Sequence, residues 1–288
     1  MSLLEEKTLI KILPKDGPTF EEVKKYLKKY NDEFIVIKCG GSVLVNPSLF
    51  KIFIEDVVVL KKLGFNPIIV HGGGKRINKK LNELNIKSNF INGLRVTDKD
   101  TINIVEDVLI EFNKEIVYAL KDQSCEAKRI TSREYNIITV KPESNELGFV
   151  GTPTNIKTNV LKEIIKVNSV PVVAPLGLDE NNQTFNINAD TVAGSIAKEL
   201  KARRLMIISD VEGVLDENRI LIPEINTGKA NKLIEQEVIS GGMIPKINNC
   251  LDVASNGVKG VVIIDGRKNH SLLFELLSDK GSGTLIRE

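Results

Sequence analysis

Phe34-Ile35-Val36-Ile37-Lys38-Cys39-Gly40-Gly41-Ser42 is a short apolar run that ends on a lysine and turns at once into paired glycines. Continuous apolar runs of this length fit strands buried on both faces, and glycine-rich turns at strand carboxyl ends are where open α/β sheets bind ligands. The pattern recurs at Pro67-Ile68-Ile69-Val70, which is followed by His71-Gly72-Gly73-Gly74, and the apolar runs 170–174, 204–208 and 260–264 repeat its first half. Between the runs, helical periodicity marks 47–63, 75–84, 98–120, 155–167, 189–200 and 243–255. Buried strands alternating with amphipathic helices predict an α/β fold, a three-layer αβα sandwich with a mostly parallel central sheet. The segment 129–150 alternates like a strand and lacks a long helix, which predicts a hairpin or lid on the edge of the N-terminal half, placed to contact an acceptor.

Composition narrows the class. The chain of 288 residues is 42% hydrophobic and 27% charged without a long block of one sign, so a folded protein is expected. With 40 Lys and Arg against 38 Asp and Glu, the net charge of +2 is too balanced for a nucleic-acid or membrane surface, and any phosphate must meet local anion sites. Cys39, Cys125 and Cys250 are widely spaced, and with 2 histidines in the chain neither disulfides nor a protein-built metal site is expected. The acidic start is no signal peptide and no apolar run approaches about 18 residues, so the expected compartment is the cytoplasm. Residues 1–33 read as a helical extension in which Thr19 and Glu22 form a capping box and Phe20, Val23, Leu27 and Tyr30 share a face. A further apolar-rich stretch covers 3–13, and the extension either packs on its own core or serves as an oligomer-forming arm.

Consecutive glycines let a backbone approach a phosphate closely and aim N–H donors at it, and the helix that follows adds its positive end. Gly40, Gly41, Gly72 and Gly73 are therefore candidate anion donors, with Lys38 delivered beside them. Neither loop is a Walker motif, because Gly74-Lys75 is followed by Arg76 and Ile69 stands where that motif needs its first glycine. Asn186, Asn188 and Asp190 gather around another helix start, where Asn188 suits an N-cap. Ser240-Gly241-Gly242-Met243-Ile244-Pro245-Lys246 opens a further helix with a lysine where the helix dipole disfavours a cation, which invites an anion nearby.

In chain order, Ile37-Lys38-Cys39-Gly40-Gly41, His71-Gly72-Gly73-Gly74, Asn92-Gly93-Leu94-Arg95-Val96-Thr97, Asn186-Ile187-Asn188-Ala189-Asp190, Ser209-Asp210-Val211-Glu212-Gly213-Val214 and Gly241-Gly242-Met243-Ile244-Pro245-Lys246 resemble motifs of the amino acid kinase family, and within it the acetylglutamate kinases. The resemblance runs from Phe34 onward and implies the family fold over 34–288, with an acceptor lobe at about 34–180 and an ATP lobe at about 181–288. It implies transfer of the ATP γ-phosphoryl group, with Mg2+, to the γ-carboxylate of N-acetyl-L-glutamate in arginine biosynthesis. Lys38 and Lys246 would contact the transferring phosphoryl group, Asp190 would hold both ammonium groups, and Gly40, Gly41, Gly72 and Gly73 would supply N–H donors. Arg95 and Asn186 would grip the acceptor's α-carboxylate, and Asp210 and Gly213 would lie at ATP. The chemistry is consistent: a carboxylate with an ordinary pKa of about 4.3 is ionised at neutral pH and needs no general base, only relief of charge repulsion.

Two positions depart from the family pattern. Lys75-Arg76 follows the second loop in place of Pro-Gln or a similar pair, and either tightens anion binding or faces solvent; Cys39 replaces a larger residue and reads as packing. His270, Glu275, Gly281 and Gly283 resemble the arginine site of arginine-inhibited acetylglutamate kinases. That implies L-arginine as an inhibitor and a homo-oligomer, a dimer that the N-terminal helix joins into a hexamer. The extension and tail are also similar to the kinase lobe of bifunctional acetylglutamate synthase/kinase enzymes, with no acetyltransferase expected here. Aspartate, glutamate, carbamate and carrier-bound aminoadipate are the family's other acceptors, and 92–97 is the stretch whose resemblance selects acetylglutamate. An alternative of another class is a catalytically silent arginine sensor or partner-binding subunit.

Overall fold

The computed structural model describes residues 6–288. Eight strands lie side by side in the order Glu224–Ile225, Gly283–Ile286, Val261–Asp265, Arg204–Ser209, Phe34–Cys39, Asn66–His71, Val170–Val173, Ala127–Ile130. All neighbours run parallel except Val261–Asp265 and Gly283–Ile286. Successive residues point to opposite faces, so Val36, Ile68, Leu205 and Ile207 enter one core while Ile35, Ile37, Ile69 and Met206 enter the other. Helices Ala189–Leu200 and Met243–Ser255 close the first core; Pro47–Lys62, Lys99–Asp122 and Ser271–Leu277 close the second. This is the expected αβα sandwich, and a sheet covered on both sides explains why its strands read as unbroken apolar runs.

Local chemistry sets the helix starts. Asn46 Oδ1 accepts from the N–H groups of Ser48 and Leu49 with Pro47 as the first helical residue, and Asp98 Oδ1 accepts from Thr101 N–H at 2.8 Å. In the extension, helix Phe20–Tyr30 begins with the anticipated capping box: Thr19 N–H donates to Glu22 Oε2 at 3.0 Å and Glu22 N–H to Thr19 Oγ1 at 3.4 Å. Val23 and Tyr30 are buried and Phe20 and Leu27 pack on the same core, so this helix covers its own protein. Helix Glu6–Ile12 precedes it, and residues 3–5 of the apolar-rich stretch lie outside the described residues.

The structure redraws three regions. The helix expected over 155–167 starts at Thr158, because Asn155 and Ile156 still belong to strand Gly151–Ile156. Within 129–150, Ala127–Ile130 is an edge of the main sheet, and Ile138–Pro142 finds its hairpin partner beyond 150, in Gly151–Ile156. That hairpin joins Leu176–Leu178 and Thr184–Asn186 in a separate four-stranded sheet. Helices Thr227–Glu235 and Ser271–Leu277 are additional; the second is SLLFELL, seven residues and mostly buried, with too little polar surface to show a period. Among the described residues no helix is long and apolar enough to cross a membrane.

Candidate active site

Three distant segments converge on one carboxylate. Lys38 comes from the central strand Phe34–Cys39, Asp190 from the first turn of Ala189–Leu200, and Lys246 from the first turn of Met243–Ser255. Asn188 is the N-cap, accepting from Asp190 N–H at 2.8 Å and Thr191 N–H at 3.3 Å, and so aims Asp190 outward from the helix start. Lys38 Nζ stands 3.0 Å from Asp190 Oδ1 as an ion contact without hydrogen-bond alignment, while Lys246 Nζ donates to Asp190 Oδ2. Burial alone would raise the Asp190 pKa, but the two ammonium groups outweigh it and hold the value at about 2. Two cations on one carboxylate leave a surplus positive charge, and the three side chains are only 13–17% exposed.

Asp190 stands where two cavities meet. One, of about 290 Å³, is lined by Lys38, Gly40, Gly41, Gly72, Gly73, Arg95 and Asn186; the other, of about 790 Å³, by Gly241, Gly242 and Lys246. The register Cys39 opposite His71 sets the two glycine loops side by side at the sheet's carboxyl edge. Gly41 has φ +65°, and a Cβ there would collide with the Asp210 carboxylate; a Cβ on Gly40 would displace the Lys38 ammonium.

Arg95 is 7% exposed, and its partners are all neutral: Ser88 Oγ, Asn78 Oδ1 at 2.7 Å and Gly74 O at 3.4 Å, with the Phe90 ring centroid 4.7 Å away. Burial lowers its pKa, yet no carboxylate of the described residues compensates its charge. Such a guanidinium is ready for a ligand carboxylate. Asn186, across the cavity, donates to Thr97 Oγ1 at 3.4 Å.

Other expectations change. Gly72 N–H donates to Cys39 O at 2.8 Å, so Gly72 lines the cavity without a free donor, which corrects the reading of all four glycines as donors. Lys75 is tied to Asp210 Oδ2 at 3.0 Å and Ser42 Oγ at 3.1 Å, and Arg76 to Glu115 and Leu44 O. Neither is a free anion ligand. Asp210 Oδ1 accepts from Ser42 N–H at 2.6 Å, so this carboxylate braces the first glycine loop and lines neither cavity. Gly213, at φ +143°, is packed against Thr284, whose Oγ1 accepts from Val214 N–H at 2.8 Å; it too lines neither cavity.

The four arginine-site residues do not line one cavity. His270 is 4% exposed, with Nδ1 2.6 Å from Asp56 Oδ1 and Nε2 3.2 Å from Asp16 Oδ1. Its neighbouring cavity of about 20 Å³ excludes Glu275, Gly281 and Gly283. Glu275 accepts from Ser282 N–H at 2.6 Å beside Gly281, and Gly283 is packed on Ile263 within the sheet. Sequence reasoning missed Asn78 and Ser88, which hold Arg95, and Asn249, whose Nδ2 donates to Asp190 O at 3.3 Å. Asn249 lies one turn beyond Lys246 on its helix, a spacing that could have found it.

The sequence pattern of the Amino acid kinase family matches residues 33–265. The chain belongs to the amino acid kinase family. Its similarity extends to individual members: it is 82% identical to the acetylglutamate kinase of Pelagibacter ubique (strain HTCC1062) over 288 residues, covering 100% of both chains. Against the acetylglutamate kinase of Rhodospirillum rubrum it is 43% identical, over 93% of this chain and 91% of that one. The family fold also appears in the N-acetylglutamate synthase of Neisseria gonorrhoeae, solved with coenzyme A and N-acetyl-glutamate, at TM-score 0.84 and 22% identity. The match covers 93% of this chain and spans 62% of the synthase.

Proposed function

We propose that this amino acid kinase transfers the γ-phosphoryl group of ATP to the γ-carboxylate of N-acetyl-L-glutamate, giving N-acetyl-L-glutamyl 5-phosphate and ADP, the second step of arginine biosynthesis. The observation that carries the reading is Asp190 held between Lys38 and Lys246 where the cavity containing Arg95 meets a second cavity. High identity to acetylglutamate kinases supports the acceptor.

In this reading Arg95 and Asn186 hold the acceptor's α-carboxylate, and its γ-carboxylate, ionised at neutral pH, attacks the γ-phosphorus in line. Gly40, Gly41 and Gly73 line that path, and Lys38 and Lys246 neutralise charge on the transferring group and its leaving oxygen. Asp190 is a fixed counter-ion; with a pKa of about 2 it takes no proton in the working range. The acceptor lobe spans about 34–180 and the ATP lobe about 181–288; Asp210 reaches from the second to brace the first glycine loop through Ser42 N–H, and Gly213 packs against Thr284. Among the described residues no group of three Asp, Glu, His or Cys side chains is arranged to hold a metal ion, and Asp190 and Asp210 are both taken by lysines. In this reading Mg2+ enters as part of the MgATP substrate.

Release of ADP, measured side by side with N-acetylglutamate, glutamate and aspartate, tests the proposal. Turnover with N-acetylglutamate alone supports it; turnover with none favours the silent arginine sensor, against which the complete Lys38, Asp190 and Lys246 arrangement argues. L-arginine inhibition and a dimer-to-hexamer assembly through the N-terminal helix complete the proposal. Unchanged velocity in millimolar arginine, or unchanged oligomer size after removal of residues 1–30, removes them.

A further inference from the structure

His71 ends the second strand immediately before the glycine loop, is 0% exposed and lines neither cavity. The reaction as described gives it no task. Its ring stands edge-on to Phe112 with centroids 5.2 Å apart, and both ring nitrogens are engaged. Asn113 Nδ2 lies 2.9 Å from Val172 O and 3.1 Å from His71 Nε2. A carbonyl only accepts, so the group facing Val172 is the amide NH2, and its second hydrogen is offered to Nε2. Nε2 therefore carries the lone pair and the ring proton sits on Nδ1, 2.9 Å from Gly72 O. Burial favours the same neutral ring, lowering the His71 pKa to about 4, and the nearby Arg76 cation, stacked on Phe112, acts in that direction too.

Gly72 is consequently held on both sides, its N–H by Cys39 O at 2.8 Å and its carbonyl by His71 Nδ1–H. The peptide joining Gly72 to Gly73 is trans, so its N–H points away from its C=O. With the carbonyl drawn to the buried ring, the Gly73 N–H, which has no protein partner among the described residues, is turned to the cavity that Gly73 lines. We infer that His71 is a positioning residue: its Nδ1–H tautomer, selected by Asn113, locks the Gly72–Gly73 peptide so that the Gly73 N–H is presented to the anion in the acceptor cavity. That the anion is the acceptor with its incoming phosphoryl group rests on the kinase reading; the tautomer does not.

Two experiments test this. Two-bond 1H–15N spectra of 15N-histidine protein contain two ring systems, His71 and His270, and the one lost in His71→Asn is His71. At pH 7 it should show the Nδ1–H tautomer; an Nε2–H ring or an imidazolium overturns the inference, whatever the activity. In kinetics, His71→Asn keeps a donor near the Nδ1 position, whereas His71→Gln reaches the Nε2 position and leaves Gly72 O without its donor. The Asn variant should retain kcat/KM for N-acetylglutamate within about threefold and the Gln variant lose roughly 10–100-fold, the scale of one hydrogen bond to a charged group, with KM for ATP unchanged. Equal losses in both variants, or a loss shared by the ATP KM, make His71 core packing and overturn the inference. A variant that fails to fold leaves the wild-type spectrum as the deciding measurement, and wild-type protein inactive on N-acetylglutamate would sink the functional reading alone.

Discussion

Asp190 and Asp56 are both buried carboxylates held by basic side chains, yet their stoichiometry is reversed. Around Asp190, two ammonium groups share one carboxylate beside two cavities; around His270, one imidazole lies between Asp56 and Asp16 where the cavity is about 20 Å³. Burial pushes both carboxyls upward, but the lysine pair brings Asp190 to about 2, while Asp56 stays raised at about 6. A surplus of positive charge next to open space is built to receive an anion. The reverse surplus, with Asp56 buried and Asp16 at the surface, joins segments: the turn before Phe20–Tyr30, the helix Pro47–Lys62 and the start of Ser271–Leu277.

The contrast can be broken most directly at Asp190. Lys38→Met or Lys246→Met should lower kcat on the order of 10²–10³-fold, the usual cost of losing one preorganised charge donor. Steady-state ADP release reads this, and near-wild-type turnover would place the chemistry elsewhere. At the other site, His270→Asn should remove about 3 kcal/mol of unfolding free energy in denaturant titrations, since it strands buried carboxylate charge. An unchanged unfolding midpoint would make the cluster incidental.

That site also has a signed pH dependence. His270 is raised first by its hydrogen bond to Asp56, so its contribution is complete below the unfolded histidine value and fades as pH rises through the folded one. Asp56, raised to about 6, likewise binds its proton better when folded, so stability falls with rising pH in both cases. Wild-type unfolding free energy should therefore fall as pH rises from 7 to 9 in denaturant titrations; a rise contradicts the assignment. Smaller still, Arg95→Lys should raise KM for N-acetylglutamate roughly tenfold without moving KM for ATP, because lysine cannot reproduce a bidentate carboxylate grip. The half-exposed Lys75–Asp210 pair sharpens the lower bound: Lys75→Met should cost no more than about 1 kcal/mol of stability by thermal or chemical melting.

The strands were legible because a two-sided sheet writes itself as apolar runs, and Asn188 and the Thr19–Glu22 box because capping is local. The 155–167 helix was misjudged at its start because Asn155 and Ile156 take their conformation from pairing with Ile138–Pro142, a choice made by neighbours in space. Ser271–Leu277 left no amphipathic trace because it is buried nearly all round.

For the site, the sequence alone determined which groups stand at strand carboxyl ends, Lys38 and two glycine loops, and which at helix starts, Asp190 and Lys246, in a family order that selects a kinase. Position along a strand or helix is local information. Only the tertiary structure decided which of these groups are free. Gly72 N–H is consumed by Cys39, Arg76 by Glu115 39 residues away, Lys75 by Asp210 135 residues away, and His270 by Asp56 214 residues away. Arg95 keeps its charge uncompensated. The physical reason is that pairing depends on register and on helix packing across the sheet, which bring together residues whose sequence neighbourhoods carry no sign of one another.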